Sequence, residues 1–419
     1  MAAATRTVYP EASAVHDGRL SIGGCDAVEI ARRFGTPAYV VAEDDLRARA
    51  REFTDALRRH HDGPGAVLFA AKAFPATAVL RVFAQEGLHC LVAGGGELHA
   101  ALRAGFPPER IQLHGNAKSE MELATALDAG VGAIVVDNFD DLDRLERLVP
   151  AGERQRVLVR VQPDVETDTH AAIATGHADA KFGMSLPHAA EAIARARAGG
   201  RLDVAGLHVH LGSQLFDTDP FHAAAEAIAS LGTFEVYDMG GGLGVPYTAG
   251  DRVLEVDDYV AAKAQALRTV HGDGRTLCLE PGRALVATST VTLYTVQTVK
   301  QGPTRKWVAV DGGMSDNLRP MLYDARYEIA VADRMDADGE PCTVVGKHCE
   351  SGDELVSDAR LPDPRPGDVL VLPTSGAYQH ALANNYNGAL RPPVVFCRRG
   401  EPRVVVRRET YEDLMARDA

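Results

Sequence analysis

At 419 residues the chain exceeds the size at which one hydrophobic core usually stops growing, so two domains are expected. With 46% hydrophobic and 24% charged residues it can bury a full core. Its 58 acidic against 44 basic residues give a net charge of −14 with no dense Lys/Arg block, which argues against nucleic acid and acidic membrane surfaces as partners.

The first ten residues lack the apolar core of a signal peptide, and no run is long and uncharged enough for a membrane span. The cysteines, Cys25, Cys90, Cys278, Cys342, Cys349 and Cys397, are scattered without a C-x-x-C pair and read as reduced thiols of a cytoplasmic protein. Residues 1–42 carry turn signals (His16-Asp17-Gly18, Gly23-Gly24), a helix at about 26–34 and a strand at Pro37–Val41. From Asp44 the period changes: Leu46, Ala50, Phe53 and Leu57 predict an amphipathic helix to about His60.

An alternation then sets in. Short β-rich runs at 67–71, 88–92, 111–114, 133–136, 157–162, 204–210, 234–238 and 276–280 are separated by gaps long enough for helices. Two helices announce their starts, Ser119-x-x-Glu122 as a capping box and Asp219-Pro220 as a capper before a first-turn proline. Eight such units close most economically into a parallel (β/α)₈ TIM-type barrel over 43–284. After Arg283 the texture becomes strands joined by Gly/Pro/Asp turns: from Val286, then Trp307–Val310, Cys342–Val345, Asp368–Leu372, Val394–Phe396 and Arg403–Val406. This predicts a C-terminal β domain over 285–419 that takes in the strands of residues 1–42.

In a barrel of this kind, chemistry collects at the C-terminal ends of the strands. The first run, Val67-Leu-Phe-Ala-Ala-Lys72-Ala-Phe-Pro75, ends in a lysine that is either a snorkelling strand terminator or a partly desolvated, Schiff-base-forming amine. Gly240, Gly241 and Gly242 make a tight turn or a backbone cradle for an anion, to which Ser213 would add a hydroxyl and Arg283 a charge. Glu280 is an ion-pair partner or, beside a phosphate and a Schiff-base lysine, the carboxylate that keeps a pyridine nitrogen protonated. His210 is a core histidine or a ring stacked on a cofactor.

Together these motifs resemble the ornithine/diaminopimelate decarboxylase family of fold-type III pyridoxal-phosphate enzymes. The resemblance covers essentially the whole chain. It rests on Phe69-Ala-Ala-Lys72-Ala, His114-Gly-Asn-Ala-Lys-Ser119, Ala174-Thr-Gly-His177 with Lys181-Phe-Gly183, and Gly206-Leu-His-Val-His-Leu-Gly-Ser-Gln214. It continues through the Gly240 run, Glu280-Pro-Gly-Arg283, Val310–Pro320, Cys349-Glu-Ser-Gly-Asp353, Gly376-Ala-Tyr378 and Asn385-Tyr-Asn387.

By position, the resemblance implies that Lys72 holds pyridoxal 5'-phosphate as a Schiff base, His210 stacks on the ring and Glu280 meets its nitrogen. It implies further that Gly240, Gly241, Gly242, Ser213 and Tyr378 grip the phosphate, with Gly282 and Arg283 lining the site. Arg283, Arg319 and Tyr323, with Tyr378, match substrate-binding positions, Glu350 the acid that meets a distal amino group, and Cys349 the acid that reprotonates the α-carbon. Without the family match, Cys349 would read as a small buried hydrophobe. The implied reaction is decarboxylation of meso-2,6-diaminopimelate to L-lysine, in a homodimer whose Cys349 loop reaches the neighbouring subunit. No metal is expected.

Three departures, Leu91, Gly94 and Ala117, lie on the cofactor side of the barrel and bear on the substrate. The alternatives are a decarboxylase for ornithine, lysine, arginine, carboxynorspermidine or a carrier-bound amino acid, and a non-catalytic regulatory homologue. A racemase fits less well with the Cys349–Asp353 signature.

Overall fold

The computed structural model describes residues 8–165 and 180–419; the Ala174–His177 motif lies outside them. Two compact units are formed, one by Arg49–Gly244 and Val253–Ala284, the other by Met1–Ala48, Val245–Arg252 and Leu285–Ala419.

The first unit is a closed barrel of eight parallel strands: Gly65–Ala70, His89–Val92, Ile111–Leu113, Ala133–Val136, Gln155–Arg160, Leu202–His208, Val236–Asp238 and Thr276–Leu279. The last pairs with the first through Leu277, Cys278 and Leu279 against Gly65, Ala66 and Val67, so no edge remains. The strands are short and apolar because the interior has room only for modest side chains: Leu68, Ala70, Leu91, Val135, Leu158, Ala205, Val236 and Cys278 fill it. At Gly206 the sixth strand comes so close to the seventh that a Cβ would lie 1.9 Å from the Val236 carbonyl oxygen.

The helix signals hold in one case and shift in the other. Ser119 caps the helix Glu120–Ala129 by accepting from the Glu122 N–H, and the Glu122 carboxylate accepts the Ser119 N–H in return. Asp219 is not a capper: it is the first residue of the helix Asp219–Ile228, whose N-cap is Thr218, with Pro220 in the first turn.

In the second unit the twelve-residue strand Thr290–Gln301 is the spine. Its first half pairs with Ala38–Ala42 and with Val369–Leu372, and its second half with Lys306–Val310. The strand begins at Thr290, not Val286, which ends the short helix Arg283–Val286. The N-terminal strand Ala38–Ala42 also pairs with Val394–Arg398, so the chain's beginning is built into the β unit as expected. Helix Ala27–Phe34, capped by Asp26, packs Ala27, Ile30 and Ala31 into the same cluster as Val40, Val291, Leu293 and Val395.

Glu354–Leu361 is a strand that sequence reading missed. It lies at the end of the sheet and pairs with Glu340–Val345 through two register shifts, so its apolar alternation is broken. Among the described residues no helix is long and apolar enough to cross a membrane.

Lys118 explains part of the third-strand motif. Its buried ammonium donates to the carbonyls of Gly115 (2.5 Å) and Val135 (2.9 Å) and pairs with Asp141 at 2.6 Å. It thereby ties the loop after the third strand to the fourth strand. Removing one partner of a buried ion pair leaves the other charge stranded, at about 3–5 kcal/mol. Asp141→Ala is therefore expected to lower the denaturant midpoint of the helical circular-dichroism signal by an amount equivalent to about 3 kcal/mol; an unchanged midpoint would show that the carbonyls alone hold Lys118.

Candidate active site

The barrel residues singled out from the sequence all sit where strands end. Lys72 lies on the single turn Ala71–Ala73 after the first strand. Its side chain is exposed. Its charge is still felt by Glu97, His114, His210 and Glu280. The turn after the eighth strand is fastened beside it: the Ala70 N–H donates to the Pro281 carbonyl at 3.2 Å, and a Cβ on Gly282 would touch Ala70 and Ala73.

Glu280 is the most constrained group. It is 6% exposed, with His208 Nε2 at 3.2 Å from Oε2 and His114 Nε2 at 3.2 Å from Oε1. The His114 approach lacks hydrogen-bond geometry, so Glu280 Oε1 keeps an unfilled acceptor. Burial pushes Glu280 up to about 7, against the pull of Asp238, Arg160, Lys72 and Lys263. Asp238, at the end of the seventh strand, is pushed up to about 8 by burial and by the charge of Glu280. Burial pulls His208 down to about 4 and holds His114 well below the usual imidazole range, so both rings are neutral. His114, His208 and Glu280 each offer a donor atom within 4.8 Å of the others, a spacing that also suits a cation.

The Gly240–Gly242 turn is glycine for steric reasons. A Cβ would lie 2.5 Å from the Val209 oxygen at Gly240, 2.2 Å from the Glu280 oxygen at Gly241 and 2.6 Å from the Gly212 oxygen at Gly242. Gly240 and Gly242 also have φ of +66° and +110°, which other residues adopt only with strain. The Gly241 N–H donates to His210 Nδ1 at 3.2 Å, so the neutral His210 ring carries its proton on Nε2. Burial, then the Lys72 charge, lowers the His210 pKa well below normal. Ser213 accepts from Arg283 Nη2 at 2.9 Å, placing a hydroxyl and a buried guanidinium at the sixth and eighth strand ends.

These features suit a phosphorylated pyridine. A carboxylate with an open acceptor atom would meet the ring nitrogen, side-chain-free backbone the phosphate, and a solvent-reachable lysine an aldehyde.

In the β unit, Arg319 is buried, donates to the Tyr327 hydroxyl and lies 4.5 Å over the Tyr247 ring. Tyr378, at φ +71°, heads the short helix Gln379–Leu382. Tyr323 is half-buried at the end of the helix Arg319–Tyr323. Cys349 is exposed, so it is not the buried hydrophobe that its residue type alone suggests. Its N–H donates to Asn387 Oδ1 at 2.9 Å, and Glu350 beside it is exposed as well. Asp353 shapes this loop by accepting from Met314 N (2.6 Å), His348 N (3.0 Å) and the His348 ring (2.7 Å).

The structure thus gathers Lys72, His210, Ser213, Gly240–Gly242, Glu280, Gly282 and Arg283 at one end of the barrel. Arg319, Tyr323, Tyr378, Cys349 and Glu350 belong to the β unit. Sequence reasoning assigned no role to His208, Asp238, Lys263 or Tyr247. His208 was within reach, because it stands two residues before His210 in the β-rich run expected over 204–210. Of the three departures, Leu91 belongs to the barrel core, Gly94 is the N-cap residue of the helix Gly95–Ala104, and Ala117 is exposed.

Residues 43–287 match the family described as pyridoxal-dependent decarboxylase, pyridoxal binding domain. The chain is 46% identical to the diaminopimelate decarboxylase of Actinosynnema pretiosum subsp. auranticum, over 98% of this chain and 95% of that one. To the Bacillus subtilis (strain 168) diaminopimelate decarboxylase it is 42% identical, over 96% and 95%. The crystal structure of diaminopimelate decarboxylase from M. jannaschii in complex with L-lysine superposes with a TM-score of 0.92 at 33% identity, covering 98% of each chain. With these identities and the strand-end chemistry in agreement, the chain belongs to the pyridoxal-dependent decarboxylases.

Proposed function

We propose that this chain decarboxylates meso-2,6-diaminopimelate to L-lysine and carbon dioxide, the last step of lysine synthesis, with pyridoxal 5'-phosphate as cofactor. The observation that carries the reading is the buried Glu280 carboxylate with its open Oε1, set among strand ends that also hold Lys72 and the Gly240–Gly242 turn. The similarity to diaminopimelate decarboxylases along nearly the full chain supports the substrate.

When bound, the cofactor supplies an electron sink for the pair left as carbon dioxide departs. Lys72 would hold its aldehyde carbon, His210 would lie against the ring, and Glu280 would face the ring nitrogen. Gly240, Gly241, Gly242, Ser213, Arg283 and Tyr378 would hold the phosphate end, with Gly282 keeping that wall close to Lys72. The Cys349 thiol would return a proton to the α-carbon. Arg319, with Arg283 and Tyr323, would bind the distal carboxylate in the bidentate manner a guanidinium allows, and Glu350 would take the distal ammonium.

A homodimer and a cytoplasmic location belong to the same reading. The apolar side chains of Met321 and Leu322, 47% and 48% exposed, support the dimer; Met321 lies beside Gly352 of the Cys349 loop. The scattered, unpaired cysteines support the location.

The deciding assay offers purified protein and pyridoxal phosphate meso-diaminopimelate, L-lysine, L-ornithine and L-arginine separately. Lysine and carbon dioxide in equal amounts from diaminopimelate alone are expected; carbon dioxide released only from another amino acid would overturn the substrate. Cys349→Ala is expected to slow lysine formation by about 10²–10⁴-fold, the usual loss of a general acid, while the bound-cofactor absorbance persists. Glu350→Gln is expected to raise KM for diaminopimelate by roughly tenfold with cofactor binding unchanged; equal kinetics would remove Glu350 from the substrate contacts.

A further inference from the structure

Lys263 lies on the helix Val256–His271 between the seventh and eighth barrel strands and is fully buried. A lysine there needs a reason, because an unpaired ammonium in an apolar interior is costly. Its Nζ contacts the carbonyl oxygens of Met239 (2.7 Å), Gly240 (2.9 Å) and Gly241 (3.1 Å) and the Tyr259 hydroxyl (2.6 Å). Three consecutive carbonyls of one turn therefore converge on a single cation. The ammonium also sits 4.8 Å from the Phe221 ring centroid and 4.4 Å from that of Tyr259.

In a trans peptide each carbonyl and the N–H that follows it point in opposite directions. Drawing the carbonyls of residues 239–241 onto Nζ therefore turns the N–H groups of Gly240, Gly241 and Gly242 to the other side. Gly240 N–H is taken by Asp238 Oδ1 at 3.0 Å and Gly241 N–H by His210 Nδ1 at 3.2 Å. The Gly242 N–H has no hydrogen-bond partner among the described residues. Without an anchor, a run of three glycines has wide backbone freedom.

We propose that Lys263 is a positioning residue, holding the Gly240–Gly242 turn from behind so that the Gly242 N–H faces an anion and the Gly241 N–H orients His210. The proposal rests on the reading of this turn as the cofactor's phosphate site. Lys263 touches neither cofactor nor substrate; it acts through the backbone. Burial pulls the Lys263 amine down to about 7, against the raising charges of Asp238 and Glu280.

The test compares binding of pyridoxal 5'-phosphate with that of pyridoxal, the same ring without phosphate, each followed by the absorbance of the imine formed at Lys72. Wild type binding pyridoxal phosphate more tightly supports the phosphate site; equal binding of the two overturns that underlying reading. Lys263→Met fills the same space without the charge or the donors. It is expected to weaken pyridoxal phosphate binding by about tenfold or more, the value of a hydrogen bond to a charged group, with pyridoxal binding little changed. Retention of the wild-type preference in Lys263→Met overturns the role of Lys263 alone, and equal losses for both ligands assign it to general stability and overturn it too. Should Lys263→Met not fold, Tyr259→Phe, which removes one contact to Nζ, decides the matter: a smaller loss confined to pyridoxal phosphate supports the proposal, and no loss, or a loss shared by both ligands, overturns it.

Discussion

A carboxylic acid kept almost free of water at the end of a barrel strand is the constraint around which this protein is arranged. Glu280 cannot sit there alone, because a lone buried charge costs more than a fold can spare. The surroundings answer the problem with two neutral imidazoles, His208 and His114, and with a second acid, Asp238, that competes with Glu280 for protons. Arg160, Lys72 and Lys263 balance the remaining charge. Each partner comes from a different strand end or adjoining helix, so only a closed barrel brings them to one place.

The same economy governs the backbone nearby. Gly206, Gly240, Gly241 and Gly242 all lie where another segment's carbonyl would collide with a Cβ. Close packing of this kind removes side chains as donors, and the main chain becomes the binding surface. The β unit works differently. There, side chains are held by other side chains: Arg319 by tyrosines, and the Cys349 loop by Asp353 and Asn387. The first arrangement suits a rigid cofactor anchor, the second a loop whose reactive thiol stays exposed.

Much of this was legible in the chain. The barrel strands were visible because each is a short apolar run followed by a helical period, and the β/α alternation leaves few topologies. Lys72, Gly240–Gly242 and Glu280 could be picked out because they fall just past such runs. The edge strand Glu354–Leu361 was hidden by its bulges, and Asp219 was misplaced by one position because Thr218 takes the cap. Lys263 left a weaker trace, a lysine four residues after Tyr259 on the apolar face of an alanine-rich helix, which reads in a sequence as an ordinary surface charge.

The sequence by itself determined the residue types at the strand ends, the alternation that closes the barrel and the family to which the chain belongs. Those are local properties, set by periodicity and by turn chemistry. Only the tertiary structure decided that Glu280 shares its environment with Asp238, His208 and His114, and that Lys72 stays exposed. It alone turned three carbonyls onto Lys263. Protonation and backbone direction depend on neighbours brought together from 114 to 280 in the chain, and no local pattern encodes the distance between them.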